Sequence, residues 1–477
     1  MPDSLFKLSQ YVVSTPIYDE RDGYEKHIVY GTRNGVVRIM DPHIWNSVNE
    51  GLLQGIPRSI IDDLISTRIL VPKNENELLS ILNENQAEIL DSDDLYMVIQ
   101  PTALCQLGCG YCGQKHTAKN LSQKHQDLLV EELQKRLSAR KWKSVLISWF
   151  GAEALLALDD MRLLTKRFKE LAQQFGCSYS GRLTSNGVLV TKEVARELYD
   201  ELDITEVHIT LDGTKEYHDK SRPTKGGQGS FDKIFNNIIT ICESQDIKLK
   251  IIIRCNVSWE NMDGVIPLMR LLAEHNLQKR LGSFYWTLVY SWGNDADKTS
   301  PTQAEFGERE MEWYVEMYKL GFNVNVLPKR KKVTCFAVDP KAILIDATGT
   351  LFDCSEVSQV PAYEKIPGIS QSNKYAIGHL EHGEIPGKRK QNVFGDFYSL
   401  VEKGQVPCNT CRMLPVCGGA CPKKWLEGYI PCPVTKFNIE QKLLLHYAIS
   451  RMKQEETVVS QELSIHENTI TKNTASI

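Results

Sequence analysis

From residue 95 to about 325 the chain alternates short β-rich runs with longer stretches of helical periodicity. No other feature limits its fold as tightly. LYMVIQ (95–100), VLISWF (145–150), RLTS (182–185), VHITLD (207–212), KIIIRCN (250–256) and FYWTLV (284–289) read as strands. Between them, Phe231, Ile234, Phe235, Ile238, Ile239 and Cys242 recur at helical spacing, and Leu129, Leu133 and Leu137 follow a cap candidate at Ser122. The alternation predicts an α/β chain with a parallel sheet and helices outside, most simply a partial (β/α)6 TIM-like barrel. In such barrels the chemistry sits on the loops after the strands' C-terminal ends.

At 477 residues the chain is long enough for two or three domains. Sixty acidic against fifty-six basic residues leave a net charge of −4, which excludes a strongly basic nucleic-acid binder and a polybasic membrane-surface protein. No apolar run reaches membrane-spanning length; the nearest, 144–158, is broken by Glu153. MPDSLFKLSQ lacks the pattern of a signal peptide. The expectation is a cytoplasmic protein with neither nucleic acid nor membrane as partner.

Thirteen cysteines are an odd count, and without a secretion signal they do not read as a disulfide framework. Three lie at 105, 109 and 112 and seven between 335 and 432, which in a reducing compartment points to metal. Cys177, Cys242 and Cys255 stand alone and are not expected as ligands. Cys242 completes the apolar stripe of its helix and reads as a core residue, Cys255 sits in a strand and Cys177 in a turn. Trp286, Trp292 and Trp313 read as core.

Residues 1–92 form a first unit. HIVYG and GVVRIM flank Thr32-Arg33-Asn34-Gly35, a hairpin signal, and helices are expected after Asp41-Pro42, after Pro57 and over 75–84, with a short strand at 69–72. The order suggests a winged-helix-like module, with polar 83–94 as a linker to the barrel, 93–325. Residues 326–450 carry more Cys, Pro and Gly and little periodicity, so metal would have to replace the missing core. A mobile polar tail is expected over 451–477.

CQLGCGYC places Cys105, Cys109 and Cys112 directly after the first barrel strand, where three thiolates can hold a [4Fe–4S] cluster and leave one iron open. The alternative is a zinc site completed by His116. The C-x3-C-x2-C spacing, with Tyr111 before the third cysteine, resembles the signature of the radical S-adenosylmethionine (SAM) enzymes. That resemblance implies SAM chelated at the open iron and cleaved by one electron to a 5′-deoxyadenosyl radical. Phe150-Gly151-Ala152-Glu153-Ala154 resembles the family's Gly-Gly-Glu-Pro loop, with Ala152 and Ala154 replacing Gly and Pro. Thr184-Ser185-Asn186-Gly187 is similar to the family's Ser-Asn-Gly contact. Leu211-Asp212-Gly213, His218-Asp219, Arg222-Pro223 and Gly229-Ser230-Phe231-Asp232 resemble the subgroup that carries a C-terminal SPASM domain. The resemblance implies SAM contacts from Tyr111, Gly151, Ala152, Glu153, Ser185, Asn186 and Arg222. Arg254 and Asn256 match family positions more weakly.

Cys335-x13-Gly349-x4-Cys354, then Cys408-x2-Cys411-x5-Cys417-x3-Cys421 and Cys432, matches the seven-cysteine arrangement of the SPASM domain. Carried across, Cys408, Cys411, Cys417 and Cys432 would hold one auxiliary [4Fe–4S] cluster. Cys335, Cys354 and Cys421 would hold another, for three clusters in the chain. A pair of zinc ribbons is the alternative.

The first ninety residues resemble the leader-recognition elements of radical SAM/SPASM peptide maturases, in which a leader adds a strand to a hairpin edge. A DNA-binding winged helix is the other reading, and the slightly acidic chain argues against it. The implied partners are a ribosomally made precursor peptide, bound through its leader, and an electron donor such as flavodoxin or ferredoxin. An anaerobic sulfatase maturase is the runner-up. In that group an aspartate base follows the second SPASM cysteine, where this chain has Ser355, with Glu356 beyond. Glu356 and Asp353 are the nearby acid/base candidates. A non-catalytic iron–sulfur electron-transfer or scaffold protein is the third reading.

Overall fold

A computed structural model describes the backbone of residues 5–392 and 394–474, and the side chains through residue 454. The chain opens with strands β1 (Phe6–Leu8), β2 (Val12–Asp19), β3 (Tyr24–Gly31) and β4 (Val36–Met40). Helices α1 (Pro42–Asn49) and α2 (Arg58–Ser66), strand β5 (Leu70–Pro72) and helix α3 (Glu77–Asp91) follow. β2, β3 and β4 make an antiparallel sheet, and β1 pairs with β5. The hairpin closes at Gly31 opposite Val36, and Gly35 takes the left-handed conformation (φ +73°) that the turn requires. Asp41 caps α1 by accepting from His43 N at 2.8 Å, with Pro42 in the first turn. Strand β2 escaped the sequence reading because Pro16 interrupts it; β2 is an edge strand, where a proline is tolerated.

The expected linker over 83–94 is not one, because most of it lies in α3. Ile81, Leu82, Asn85 and Ile89 are buried at helical spacing, while the acidic and amide residues between them face outward. The buried face packs on Phe397, Tyr398 and Val401 of the cysteine-rich region. Val13, Ile28 and Tyr30 of the small sheet pack on Met413, Val416, Leu443 and Tyr447. The N-terminal unit is therefore seated on the C-terminal one.

The middle of the chain runs β6 (Asp94–Ile99), α4 (Gln123–Ala139), β7 (Ser144–Trp149), α5 (Leu158–Gln174), β8 (Ser178–Ser185) and α6 (Lys192–Asp200). It continues through β9 (Ile204–Thr210), α7 (Lys215–Ser221), α8 (Phe231–Glu243), β10 (Lys250–Val257), α9 (Val265–Glu274), β11 (Ser283–Leu288) and α10 (Gln303–Lys319). Strands β6 to β11 pair in sequence order, each parallel to the next. Alternate residues such as Val145, Ile147 and Trp149 share one core with Leu129, Leu133 and Leu137 of α4 and Leu164 and Phe168 of α5. Ile99 lies level with Trp149, and Trp149 with Leu183, so successive loops start at one height on one end of the sheet.

The cysteine-rich region contains β12 (Ile343–Ile345), β13 (Thr350–Phe352), β14 (Ala376–His379) and β15 (Gly383–Glu384). After these come α11 (Lys388–Asn392), α12 (Phe397–Glu402), α13 (Leu414–Cys417), α14 (Pro422–Leu426) and α15 (Thr435–Thr474). β12 runs parallel to β6, so the barrel sheet continues through β13 and β14 to β15. This region is not without a core. Val98 of β6, Leu344 and Phe352 of the short strands β12 and β13, and Val357, Tyr363, Tyr375 and Phe394 from the irregular segments pack together. Neither three-residue strands nor loops show a period in the sequence. Of the expected tail over 451–477, the backbone to Thr474 belongs to α15, and its side chains from residue 455 and residues 475–477 lie outside the described residues. Among the described residues no helix is long and apolar enough to cross a membrane.

Candidate active site

The loops that leave β6 to β11 surround one open cavity of about 1170 Å³. The loop after β6 contributes Cys105, Cys109, Tyr111, Cys112, Gln114 and His116. The loop after β7 contributes Gly151 and Ala152, and the end of β8 contributes Thr184, Ser185 and Asn186. Thr210, Arg222, Arg254 and Asn256 continue the polar wall, while Leu288, Val289, Tyr290, Trp292 and Val360 make an apolar one. Glu356 stands at its edge. Trp292, expected in the core, is a wall residue here, whereas Trp313 is fully buried in the core.

Tyr111 is the hub of the polar wall. Its hydroxyl donates to Asp212 Oδ2 at 2.6 Å and accepts from Arg222 Nη1 and from Asn256 Nδ2 at 2.9 Å. The other oxygen of Asp212 accepts from Asn256 N at 2.8 Å. Burial works against the Arg222 charge, yet Cys109, Tyr111 and Asp212 hold its guanidinium above the usual arginine range. Arg222 Nε is buried on the cavity wall without a partner among the described residues, a donor left for an anionic ligand. Behind it, His218 Nδ1 accepts from Asp212 N at 3.2 Å and His218 Nε2 lies 3.0 Å from Ser230 Oγ. In the sequence Asp212 is only part of a motif; its central role depends on Tyr111 from the loop after β6, Asn256 of β10 and His218 of α7.

Glu153 turns away from the cavity. It is fully buried, and its carboxylate accepts from Ser185 Oγ at 2.9 Å, Asn186 N at 2.7 Å and Leu155 N at 3.3 Å. It therefore does not line the cavity but braces the loop after β7 against the end of β8. Burial raises its carboxyl above the ordinary range, opposed by those same hydrogen bonds. The backbone beside it is unusual. Gly151 (φ +87°) and Ala152 (φ +49°) are both left-handed, and Ala152 N donates to Gln114 Oε1 at 3.1 Å. A Cβ on Gly151 would lie 2.8 Å from Gln100 Cδ, so a side chain there is excluded by space as well as by conformation.

Three thiols on one wall are a soft donor set of the kind that binds iron–sulfur clusters. Burial holds Cys105 and Cys112 above the usual thiol range and pushes Cys109 up to about 12, with Arg222 pulling each down. His116 Nε2 lies 3.8 Å from Cys112 Sγ. Among the described residues no three His, Cys, Asp or Glu side chains are grouped to hold a single metal ion.

The other seven cysteines gather in two places. Cys408, Cys411, Cys417 and Cys432 line one small cavity. Cys335, Cys354 and Cys421 line another, with Cys417 at their shared border. Tyr290 and Glu356 line both this second thiol cavity and the one at the strand ends, so the two adjoin. Asp353, the other acid/base candidate, faces elsewhere. Just past the end of β13, it enters a pocket beside α3 and Arg389, where Asn392 Nδ2 holds it at 3.2 Å and burial pushes it up to about 6, while Cys354 lines the second thiol cavity. Cys177, Cys242 and Cys255 are buried apart from all three thiol groups.

Residues 99–266 match the model of the Radical SAM superfamily. The chain contains a radical SAM domain. The serine-type anaerobic sulfatase-maturating enzyme of Bacteroides thetaiotaomicron is 29% identical over 154 residues, which are 30% of this chain and 36% of that one. The match therefore spans about a third of that relative's length. Two solved structures share the fold. Native anSMEcpe with bound AdoMet has a TM-score of 0.56 at 16% identity, covering 76% of this chain and 100% of its own. SuiB of Streptococcus suis, bound to precursor peptide SuiA, has a TM-score of 0.50 at 14% identity, covering 90% and 99%. The radical SAM family implies SAM and a [4Fe–4S] cluster. The thiols, the loops around them and the unpartnered Arg222 Nε fit that pair of ligands.

Proposed function

We propose that this chain is a radical SAM/SPASM enzyme that modifies a ribosomally made precursor peptide. The observation that carries the reading is the single cavity into which Cys105, Cys109 and Cys112, the loops after β7 and β8, and Arg222 all converge. In this reading the three thiols hold a [4Fe–4S] cluster. Bound together, the cluster and SAM would supply cleavage of SAM, by one electron from an external donor, to methionine and a 5′-deoxyadenosyl radical able to take hydrogen from the substrate. Gly151 and Ala152 present backbone to SAM, Ser185 and Asn186 hydrogen-bond it, and the Arg222 guanidinium meets its carboxylate. Tyr111 offers its ring, since its hydroxyl is already occupied. Glu153 keeps Ser185 and Asn186 in place, and the apolar wall of Leu288, Val289 and Trp292 excludes water from the reacting side chain.

The two further thiol groups hold auxiliary clusters in the same reading, and the N-terminal sheet and α3 form the leader-binding module. A flavodoxin or ferredoxin would supply the electron. Supporting this, SuiB matches nearly the whole length of both chains, and its structure contains a precursor peptide.

A sulfatase-maturase activity is the second reading, favoured by the named relative. Against it stands Ser355 where an aspartate base is expected, leaving Glu356 at the cavity edge as the available carboxylate. The test is anaerobic. Reconstitution with iron and sulfide is expected to load about twelve irons per chain, and SAM with dithionite to yield 5′-deoxyadenosine. Cys109→Ala is expected to abolish that product. Fully loaded protein that forms none overturns the proposal. A precursor peptide that gains a crosslink, set against a sulfatase peptide that gains formylglycine, decides between the two readings.

A further inference from the structure

The lysines around the C-terminal thiols fall into two kinds. Lys423 is neutralised, with Nζ 2.6 Å from Glu427 Oε2 and 2.7 Å from Tyr363 Oη. Lys442 is likewise paired with Glu310 at 2.8 Å. Lys424 and Lys436 have no carboxylate at ion-pair distance among the described residues. Lys424 Nζ lies over the ring of Tyr290, 3.2 Å from its centroid and 5.3 Å from that of Trp292. Tyr290 in turn lines the cavity of Cys335, Cys354 and Cys421, which places Lys424 beside that thiol group. Lys436 Nζ donates to Cys432 Sγ at 3.6 Å, and its charge also bears on Cys408 and Cys411. Each thiol group thus has beside it one lysine with no carboxylate at ion-pair distance among the described residues. Lys331, which borders Cys335 and Cys417, is shared between the groups and cannot set them apart.

We propose that Lys424 and Lys436 are positioning cations that set, separately, the reduction potentials of two iron–sulfur clusters. Lys424 acts on the one held by Cys335, Cys354 and Cys421, and Lys436 on the one held by Cys408, Cys411, Cys417 and Cys432. The proposal rests on the cluster assignment made above. One-electron reduction adds a negative charge to a cluster, and a fixed cation in a poorly solvated wall stabilises the reduced form, raising the potential. Tyr290 lines both the substrate space and the second thiol cavity, and its ring holds the Lys424 ammonium at 3.2 Å from the centroid.

The test is a potentiometric titration, followed by electron paramagnetic resonance, of iron-loaded protein in which Cys105, Cys109 and Cys112 are alanine. Loss of one signal in Cys421→Ser and of the other in Cys432→Ser assigns the two. Lys424→Gln is expected to lower the reduced-to-oxidised ratio of the Cys421 signal at least tenfold at fixed potential, a shift of about 59 mV, and to leave the other unmoved. Lys436→Gln is expected to do the reverse, and the arginine variants to keep both potentials. Iron-loaded variants with unmoved potentials overturn the proposal, as do signals that shift together with either substitution. Wild-type protein without iron at these cysteines overturns the cluster assignment itself and the proposal with it.

Discussion

The hydroxyl of Tyr111 donates to Asp212 Oδ2 at 2.6 Å, tying the loop that follows β6 to the loop that follows β9 across the cavity. Asp212 is fully buried, so the oxygen that loses this donor has no water to replace it. Tyr111→Phe removes the donor while keeping the ring. The expected cost is about 1–3 kcal/mol of unfolding free energy, measured by urea denaturation. A variant as stable as wild type would mean that the hydroxyl bridges nothing that matters to the fold.

Ala152 holds a left-handed backbone (φ +49°) at a position where a glycine adopts that conformation without a Cβ clash. Its amide is fixed by Gln114 Oε1, so the loop cannot relax by turning over. Ala152→Gly is expected to stabilise the protein by up to about 1 kcal/mol, seen as a rise in Tm. If Tm falls, the methyl group makes packing contacts worth more than the strain.

His218 is buried and neutral, and its tautomer follows from its neighbours. Ser230 Oγ donates to Arg222 O at 2.7 Å, so it accepts from His218 Nε2–H, and Nδ1 is left to accept from Asp212 N. Burial first, and Arg222 second, hold the folded-state pKa well below the ordinary histidine value. Above about pH 6.5 both folded and unfolded chains carry neutral imidazole, and the group's contribution is intact. Below that the unfolded chain takes up a proton that the folded one refuses, so stability falls with falling pH by about 1.4 kcal/mol per unit. In His218→Gln this part of the slope is expected to vanish between about pH 6.5 and 5, although the variant is less stable at neutral pH. Parallel wild-type and variant curves would show that His218 is protonated in the folded protein.

The barrel was legible because each strand is a short run of β-branched and aromatic residues and because a parallel sheet puts all the following loops on one end. That rule, together with the resemblance of the loop motifs to those of radical SAM enzymes, placed Cys105, Gly151, Asn186 and Arg222 in one neighbourhood. What the sequence could not show is how side chains turn once there. Glu153 faces the amide of Asn186 and the hydroxyl of Ser185, partners more than thirty residues away, instead of the open cavity. Asp353 and Cys354 are neighbours in the chain yet face different pockets, because the chain bends just past β13, a turn that carries no sequence signal. The pairing of β12 with β6 rests on three residues, Ile343 to Ile345, too few to carry a periodic signal.

The sharpest departure from the sequence reading lies at Ile89, placed by composition in a polar linker and by the fold on the buried face of α3. Its side chain is 5% exposed and belongs to the cluster that includes Phe397, Tyr398 and Val401, so it helps hold the N-terminal sheet to the cysteine-rich region. Truncating a buried isoleucine removes its transfer free energy and leaves a cavity, together worth about 2–5 kcal/mol. A linker residue would cost less than about 0.5 kcal/mol. Ile89→Ala is therefore expected to lower stability by several kcal/mol and to speed proteolysis within α3. Glu88→Ala, one residue away on the solvent side and paired only with Lys332, is expected to change little. If the two substitutions have equal and small effects, α3 is not docked and the two end regions move independently.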